Sequence, residues 1–311
     1  MTRIVAPTGF GGPELLALTE IVTPAPGAGQ VLIDVRAIGV NPIDWKLYSG
    51  AFGDGPALLD AIGSEASGVV AGLGDGVDGW SVGDAVIASP IDGNAYADQI
   101  VVPATSLTAK PDTLAFEQAA AVPVAGGTAT HALEAAHVGE GDTVLVHGAA
   151  GGVGSVTVQL ARLRGARVIG TASAGNHEFL RELGVEPVDY GPGLVDRVRA
   201  LAPGGVDAAI DAVGSDEALD ASVELVADRQ RIVTIVGFDR SAELGITAIG
   251  GGPGADPGTE IRAASIARVA DLVADGTVQI PVAHTYPLVE TAQAHRDSRA
   301  GHTRGKIVVV P

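Results

Sequence analysis

The chain has 311 residues, with 19 basic against 37 acidic side chains, a formal charge of −18 and no cysteine. That length predicts two domains rather than one core, and 46 % hydrophobic with 18 % charged content excludes a disordered chain. An acidic surface repels phosphate backbones, which argues against nucleic acid as a partner. The longest apolar run, 119–133, is broken by Pro123, Gly126 and Gly127, so no membrane span is expected. The start, MTRIVAPTGF, lacks the apolar core of a signal peptide, and with zero cysteines the expected location is cytoplasmic.

Up to about residue 114, short apolar runs are punctuated by Gly, Pro and Asp: QVLIDVRAIGV (30–40), EASGVVAGLG (65–74), GDAVIASP (83–90) and ADQIVVPA (97–104). This spacing predicts an antiparallel, β-rich domain built as a partly open barrel. From Glu117 the texture changes to alternating strand and helix. TVLVHG (143–148), ARVIGT (166–171), EPVDY (186–190), VDAAIDAVG (206–214) and RIVTIVGF (231–238) read as strands. Helices are expected at roughly 152–164, 176–183 and 194–201, and another ending near 227. Such alternation predicts a doubly wound parallel sheet with ligands at the carboxyl ends of its strands. PVAHTYPL (281–288), a helix over 289–298 and GKIVVV (305–310) then return the chain to the first domain. The expected domains are therefore 1–115 with 276–311, and 116–275.

The run VLVHGAAGGVGSVTVQLAR (144–162) joins a predicted strand to a predicted helix. Gly151 and Gly154 have the spacing of the second and third dinucleotide-fingerprint glycines, with Ala149 in place of the first. The turn Ala150, Gly151, Gly152, Val153 and Gly154 is the expected pyrophosphate cradle, where helix-start amides face the anion. At the end of the second strand stand Thr171, Ala172 and Ser173, where an acid would hold the ribose 2′-hydroxyl of NAD. Two hydroxyls and no carboxylate suit a 2′-phosphate. A hydrogen bond to a charged group contributes about 1.5–3 kcal/mol, roughly ten- to a hundredfold, so NADPH is the expected cofactor.

HGAAGGVGSVTVQLAR, followed by GTAS, ELG and VDY, resembles the zinc-free medium-chain dehydrogenase/reductases, and within them the quinone oxidoreductase, zeta-crystallin-like branch. IGVNPIDWKLYSG (38–50), IGSEASGVVAGLG (62–74), VGDAVIA (82–88), YADQIVVPA (96–104), AAAVPVAGGTATHAL (119–133), IVGF (235–238) and GKIVVV follow in the family's order. The resemblance implies an α/β architecture: a GroES-like β-rich catalytic domain, a Rossmann domain and a cofactor between them. Zinc-dependent relatives use cysteine and histidine ligands. This chain has no cysteine and reads Gly63-Ser64-Glu65 where they carry Gly-His-Glu, so no metal is expected.

The resemblance puts NPIDWK at the reaction site, with Asn41, Asp44, Lys46 and Tyr48 as polar candidates. Lys46 is one of only three lysines. Tyr48 is a candidate proton donor or carbonyl partner, or a wall residue, since relatives often have arginine there. Asn41 and Asp44 serve either the chemistry or the bracing of a turn beside Pro42. Toward the cofactor, the resemblance implies Thr128 at the phosphates and Tyr190 at the 2′-phosphate. It places Val213, Gly214, Gly237 and Phe238 around the ribose and nicotinamide. Lys306 is either a phosphate contact or a solvated strand-end lysine. His147 reads as a packed strand-end residue, whereas His131, His177 and His295 read as helix or surface positions. The loops 50–61 and 250–258 are placed to line a substrate pocket.

The expected activity is hydride transfer from NADPH to a quinone or other conjugated carbonyl (enone). The alternative is a nucleotide-binding structural or redox-sensing protein without turnover. ELGITAI (243–249) reads as a strand at the sheet's open edge, which predicts a homodimer.

Overall fold

In the computed structural model, which describes residues 1–311, β1 (Thr2–Pro7) and β2 (Leu16–Ile21) form an antiparallel ribbon. There follow β3 (Gln30–Val40), α1 (Pro42–Tyr48), β4 (Ala66–Leu73), β5 (Ala85–Ala88), β6 (Gln99–Pro103) and β7 (Leu107–Ala109). β3 is the hub. Val31, Ile33 and Val35 point inward in strict alternation, and its last four residues are all buried, as when a one-sided strand becomes covered on both faces. β4 pairs along most of its length, and β6 pairs with its first half.

α2 (Phe116–Ala135) runs where no helix was expected, with Pro123 and two glycines inside it. Ala119, Ala120, Ala121, Val122, Ala125 and Ala129 are all buried, so burial on every side replaces the amphipathic stripe that would have signalled a helix. α2 is followed by β8 (Thr143–His147), α3 (Gly152–Leu163), β9 (Arg167–Thr171), α4 (His177–Glu182), β10 (Glu186–Val188), α5 (Leu194–Leu201), β11 (Ala208–Asp211), α6 (Asp216–Leu225), β12 (Ile232–Thr234), α7 (Phe238–Leu244) and β13 (Thr247–Ala248). The strands form a parallel sheet in the order β10-β9-β8-β11-β12-β13. The order reverses between β8 and β11, the position where such sheets bind ligands.

The predicted strand 231–238 is shorter than expected. The Thr234 hydroxyl accepts from the amides of Val236 and Gly237, which turns the chain into α7. Glu243 and Leu244 consequently belong to a helix, and ELGITAI is a strand only at Thr247–Ala248, on the sheet edge. α8 (Thr259–Ala274), β14 (Val282–Pro287), α9 (Thr291–Ala300) and β15 (Lys306–Val310) complete the chain. β15 pairs antiparallel with β3 and parallel with β14. Two units result, residues 1–124 with 266–311, and 125–265. Their breaks fall inside α2 and α8, rather than at 115/116 and 275/276. No helix is long and apolar enough to cross a membrane.

Candidate active site

Within the second unit, Gly148 sits at φ +71° and turns β8 toward α3. A Cβ on Gly154 would stand 2.1 Å from the Gly148 carbonyl oxygen, so α3 packs on the turn only because residue 154 is glycine. Gly151 differs. It adopts an ordinary extended conformation, its nearest would-be contact is 3.4 Å away, and as the N-cap it offers no side chain to the helix start. The amides of Gly152, Val153 and Gly154 therefore lack an intrahelical acceptor and a capping oxygen. Ala150 is buried, while Gly151 to Val153 remain partly exposed. This cradle fits a diphosphate.

The register aligns Thr171, His147, Asp211 and Thr234 across the carboxyl ends of four adjacent strands, and all four are buried. Asp211, not anticipated from the sequence, accepts from the amides of Val213 (2.9 Å) and Gly214 (3.0 Å) and from the Thr234 hydroxyl (2.7 Å). Thr234 in turn holds Gly237 at 2.8 Å. One carboxylate thus ties down both loops carrying Val213, Gly214, Gly237 and Phe238. His147 contacts the Ser222 and Thr171 hydroxyls at 3.1 and 3.4 Å, in keeping with a packed strand end. Thr171 does not take the place expected of it. Its hydroxyl accepts from Gly148 N–H at 3.2 Å and is buried, so it braces the glycine turn and does not face a 2′-phosphate. Ser173 and Tyr190 are exposed beyond it, and Ala172 is buried. Thr128 is buried in α2.

The first unit gathers its polar candidates differently. In NPID, Pro42 opens α1 and Asp44 reaches back to the Asn41 amide at 2.8 Å, half of a capping box. Asp44 also accepts from Gly63 N–H (3.1 Å) and the Tyr96 hydroxyl (2.8 Å). Burial outweighs these bonds and lifts its pKa to about 6. The Asn41 side chain does not cap. Its amide donates to Glu65 at 2.8 Å and its oxygen accepts from Lys306.

Lys306 is neither a phosphate contact nor a solvated lysine. It is only 5 % exposed, and its ammonium is spent on Glu65 (2.8 Å), Asn41 and the Val40 carbonyl (3.1 Å). Glu65 takes a further bond from Val124 N–H at 2.7 Å, within α2. Gly39 admits this cluster, since a Cβ there would lie 2.2 Å from the Glu65 carboxylate. The scarcity of lysine and the sequence GSE were the available signals for the Glu65–Lys306 pair.

Tyr48 is fully buried, with its hydroxyl 2.8 Å from His295 Nδ1, and burial raises its pKa. It joins α1 to α9 and presents no proton donor to an open surface. His295 is a residue of helix α9, one of its two readings, and its side chain is in the core rather than on the surface. Lys46 stands apart, its ammonium 5.7 Å from the Trp45 ring centroid, and burial lowers its pKa. There is no cysteine and no group of three ligating side chains, and the ammonium of Lys306 occupies the carboxylate of Glu65.

Residues 27–133 match the alcohol dehydrogenase GroES-like domain, and residues 183–309 match the zinc-binding dehydrogenase domain. The rat quinone oxidoreductase is 33 % identical over 329 residues, covering 99 % of this chain and 96 % of the relative. The Pseudomonas aeruginosa quinone oxidoreductase is 32 % identical over 328 residues, covering 100 % of both. The Escherichia coli quinone oxidoreductase, solved in complex with NADPH, superposes with a TM-score of 0.87 at 27 % identity, over 100 % of both chains. With this coverage and the two-unit fold, the chain belongs to the quinone oxidoreductase branch of the medium-chain dehydrogenase/reductases.

Proposed function

We propose that the protein is an NADPH-dependent oxidoreductase that delivers hydride to a quinone or another conjugated carbonyl compound without zinc. The observation that carries the cofactor reading is the uncapped start of α3, with its unpartnered amides at Gly152–Gly154. A relative of the same fold, solved with NADPH, supports it. Bound NADPH supplies the hydride. The chain's part is to bind and orient. The turn at Ala150–Gly154 holds the diphosphate, Ser173 and Tyr190 flank the 2′-phosphate, and the loops tied by Asp211 border the ribose and nicotinamide. Thr128 stands near the phosphates. Asn41 is held by Glu65 and Lys306, so that NPID keeps one conformation. Quinones and enones are chemically adjacent acceptors, because a carbonyl activates the carbon that takes the hydride in both.

The test is NADPH consumption, followed by absorbance, against a panel of quinones and enones, before and after dialysis against a strong chelator. Turnover that survives chelation supports the reading. Absence of turnover with every acceptor favours a nucleotide-binding protein without activity, and loss restored by zinc would overturn the metal-free part. We further propose a homodimer joined through the sheet edge at β13, where β12 is the only strand neighbour and the outer side carries just the short bridge from Ala248 and Gly250 to Asp256. Light scattering giving a monomer at micromolar concentration would count against it.

A further inference from the structure

Arg262 lies in the first turns of α8, within the second unit, and its guanidinium is bonded in an unusual way. Every other partly buried arginine, Arg3, Arg164, Arg197, Arg229, Arg231 and Arg240, places a terminal nitrogen on a carbonyl or carboxylate oxygen. Arg262 makes one bond only, from Nε to His131 Nδ1 at 3.3 Å, and forms no ion pair. Its terminal nitrogens have no acceptor.

The bond fixes where those nitrogens point. His131 is buried in α2, and its Nε2 lies 3.2 Å from the Asp256 carboxylate. With Nε2–H donating to Asp256, Nδ1 is the acceptor for Arg262. Gly258, at φ +57°, packs so closely on the ring that a Cβ would stand 2.2 Å from it. Anchored at Nε, the guanidinium keeps its terminal edge free, the edge suited to two parallel bonds with a carboxylate-like group. Gly250 lies next to that edge, where a Cβ would be in ordinary contact with both side chains, 3.6 Å from Nη2 and 3.9 Å from Phe238 Cζ. The edge is therefore beside Phe238, in the region just past the carboxyl ends of β12 and β13. Burial lowers the pKa of Arg262, with Asp256 only partly opposing. A bound anion would offset that cost.

We infer that Arg262 is an acceptor-binding residue, whose terminal edge takes an anionic oxygen group, a carboxylate or sulfonate, on the electron acceptor. This rests on the reading of the protein as a reductase of conjugated carbonyls. It makes anionic quinones or unsaturated keto acids better ligands than their neutral parents. An anionic group could also come from the cofactor's phosphates, and the experiment separates the two sources.

The full-length protein, saturated with NADP+ so that no turnover occurs, is titrated with a naphthoquinone sulfonate and with the parent naphthoquinone. The wild type, Arg262→Ala and Arg262→Lys are compared, with NADPH affinity measured on each and circular dichroism confirming the fold. Loss of a charged hydrogen bond predicts that Arg262→Ala weakens the sulfonate by about tenfold or more relative to the parent. Arg262→Lys should restore part of it, and NADPH affinity should stay within about twofold. No preference of the wild type for the sulfonate, an equal loss for both quinones, or a loss confined to NADPH would each overturn the inference. Because binding is read without turnover, failure of the reductase reading shows separately, as absent NADPH consumption.

Discussion

Gly151 and Gly154 look equivalent in the sequence, but they carry different burdens. At Gly154 the protein's own backbone forbids a side chain, whereas at Gly151 nothing within the protein does and the conformation is ordinary. Gly151→Val should therefore remain folded by circular dichroism and lose NADPH binding in a fluorescence titration, whereas Gly154→Ala should lose stability first. Normal NADPH binding by Gly151→Val would reduce the stretch to a packing turn. Position 173 separates from 171 in the same way. Ser173→Asp places a carboxylate on an exposed residue and should move the kcat/KM preference toward NADH by about tenfold. Thr171→Asp instead buries a charge against the Gly148 turn and should mainly destabilise. Lys306 is tested through its partner. Lys306→Met strands the Glu65 carboxylate and should cost about 3–5 kcal/mol, most of it recovered by adding Glu65→Gln. Equal stability of the two variants in urea would show that the pair is not coupled.

At the scale of elements, β3 to β6, β8 to β12, β14 and β15 are readable because their residues alternate or form short apolar runs, whereas β1, β2 and β7 are not among the predicted strands. α2 was not readable, since a helix buried all round and interrupted by Pro123 has no periodic stripe to read. The glycine turn was legible from its strand–turn–helix context. The polar row at the strand ends was not, because a sequence does not state that Thr171, His147, Asp211 and Thr234 share one level of the sheet. The same blindness left Lys306 between a phosphate contact and a solvated lysine, and Tyr48 between a proton donor and a wall residue, when both pair across long sequence separations. The Asp211 row has a consequence for binding. Asp211→Ala releases the amides of Val213 and Gly214 and the Thr234 hydroxyl together, so both loops lose their fixed ends. NADPH affinity should fall about tenfold or more, from the loss of pre-organisation, with the far-UV spectrum preserved. Unchanged affinity would mean that the loops hold their shape without the carboxylate.

Across the whole molecule, buried titrating groups set how stability responds to acid. Burial holds His147 and His295 neutral, with pKa values near 4 and 3 against an ordinary value of 6.5. His295 Nε2 is buried with no hydrogen-bond partner, so a proton there finds no acceptor. The unfolded chain binds both protons near pH 6.5 and the folded chain does not. Their contribution to stability is therefore present above about pH 6.5 and is lost as the pH falls toward 4 and 3. Asp44 acts in the opposite sense. Its pKa is raised from 3.8 to about 6, so its contribution is full below 3.8 and is lost as the pH rises through about 6. Between pH 4 and 6 three histidines, His131, His147 and His295, destabilise on acidification, and Asp44 opposes them. The net difference is at least about one proton, a slope of roughly 1.4 kcal/mol per pH unit or more. Stability from denaturant unfolding should fall at about that slope as the pH is lowered through this window. His295→Gln removes one of these destabilising protons and should make the profile shallower by about one proton over the same range, whatever the variant's stability at neutral pH. Parallel slopes for the wild type and the variant would mean that His295 is not held neutral by the core that surrounds it.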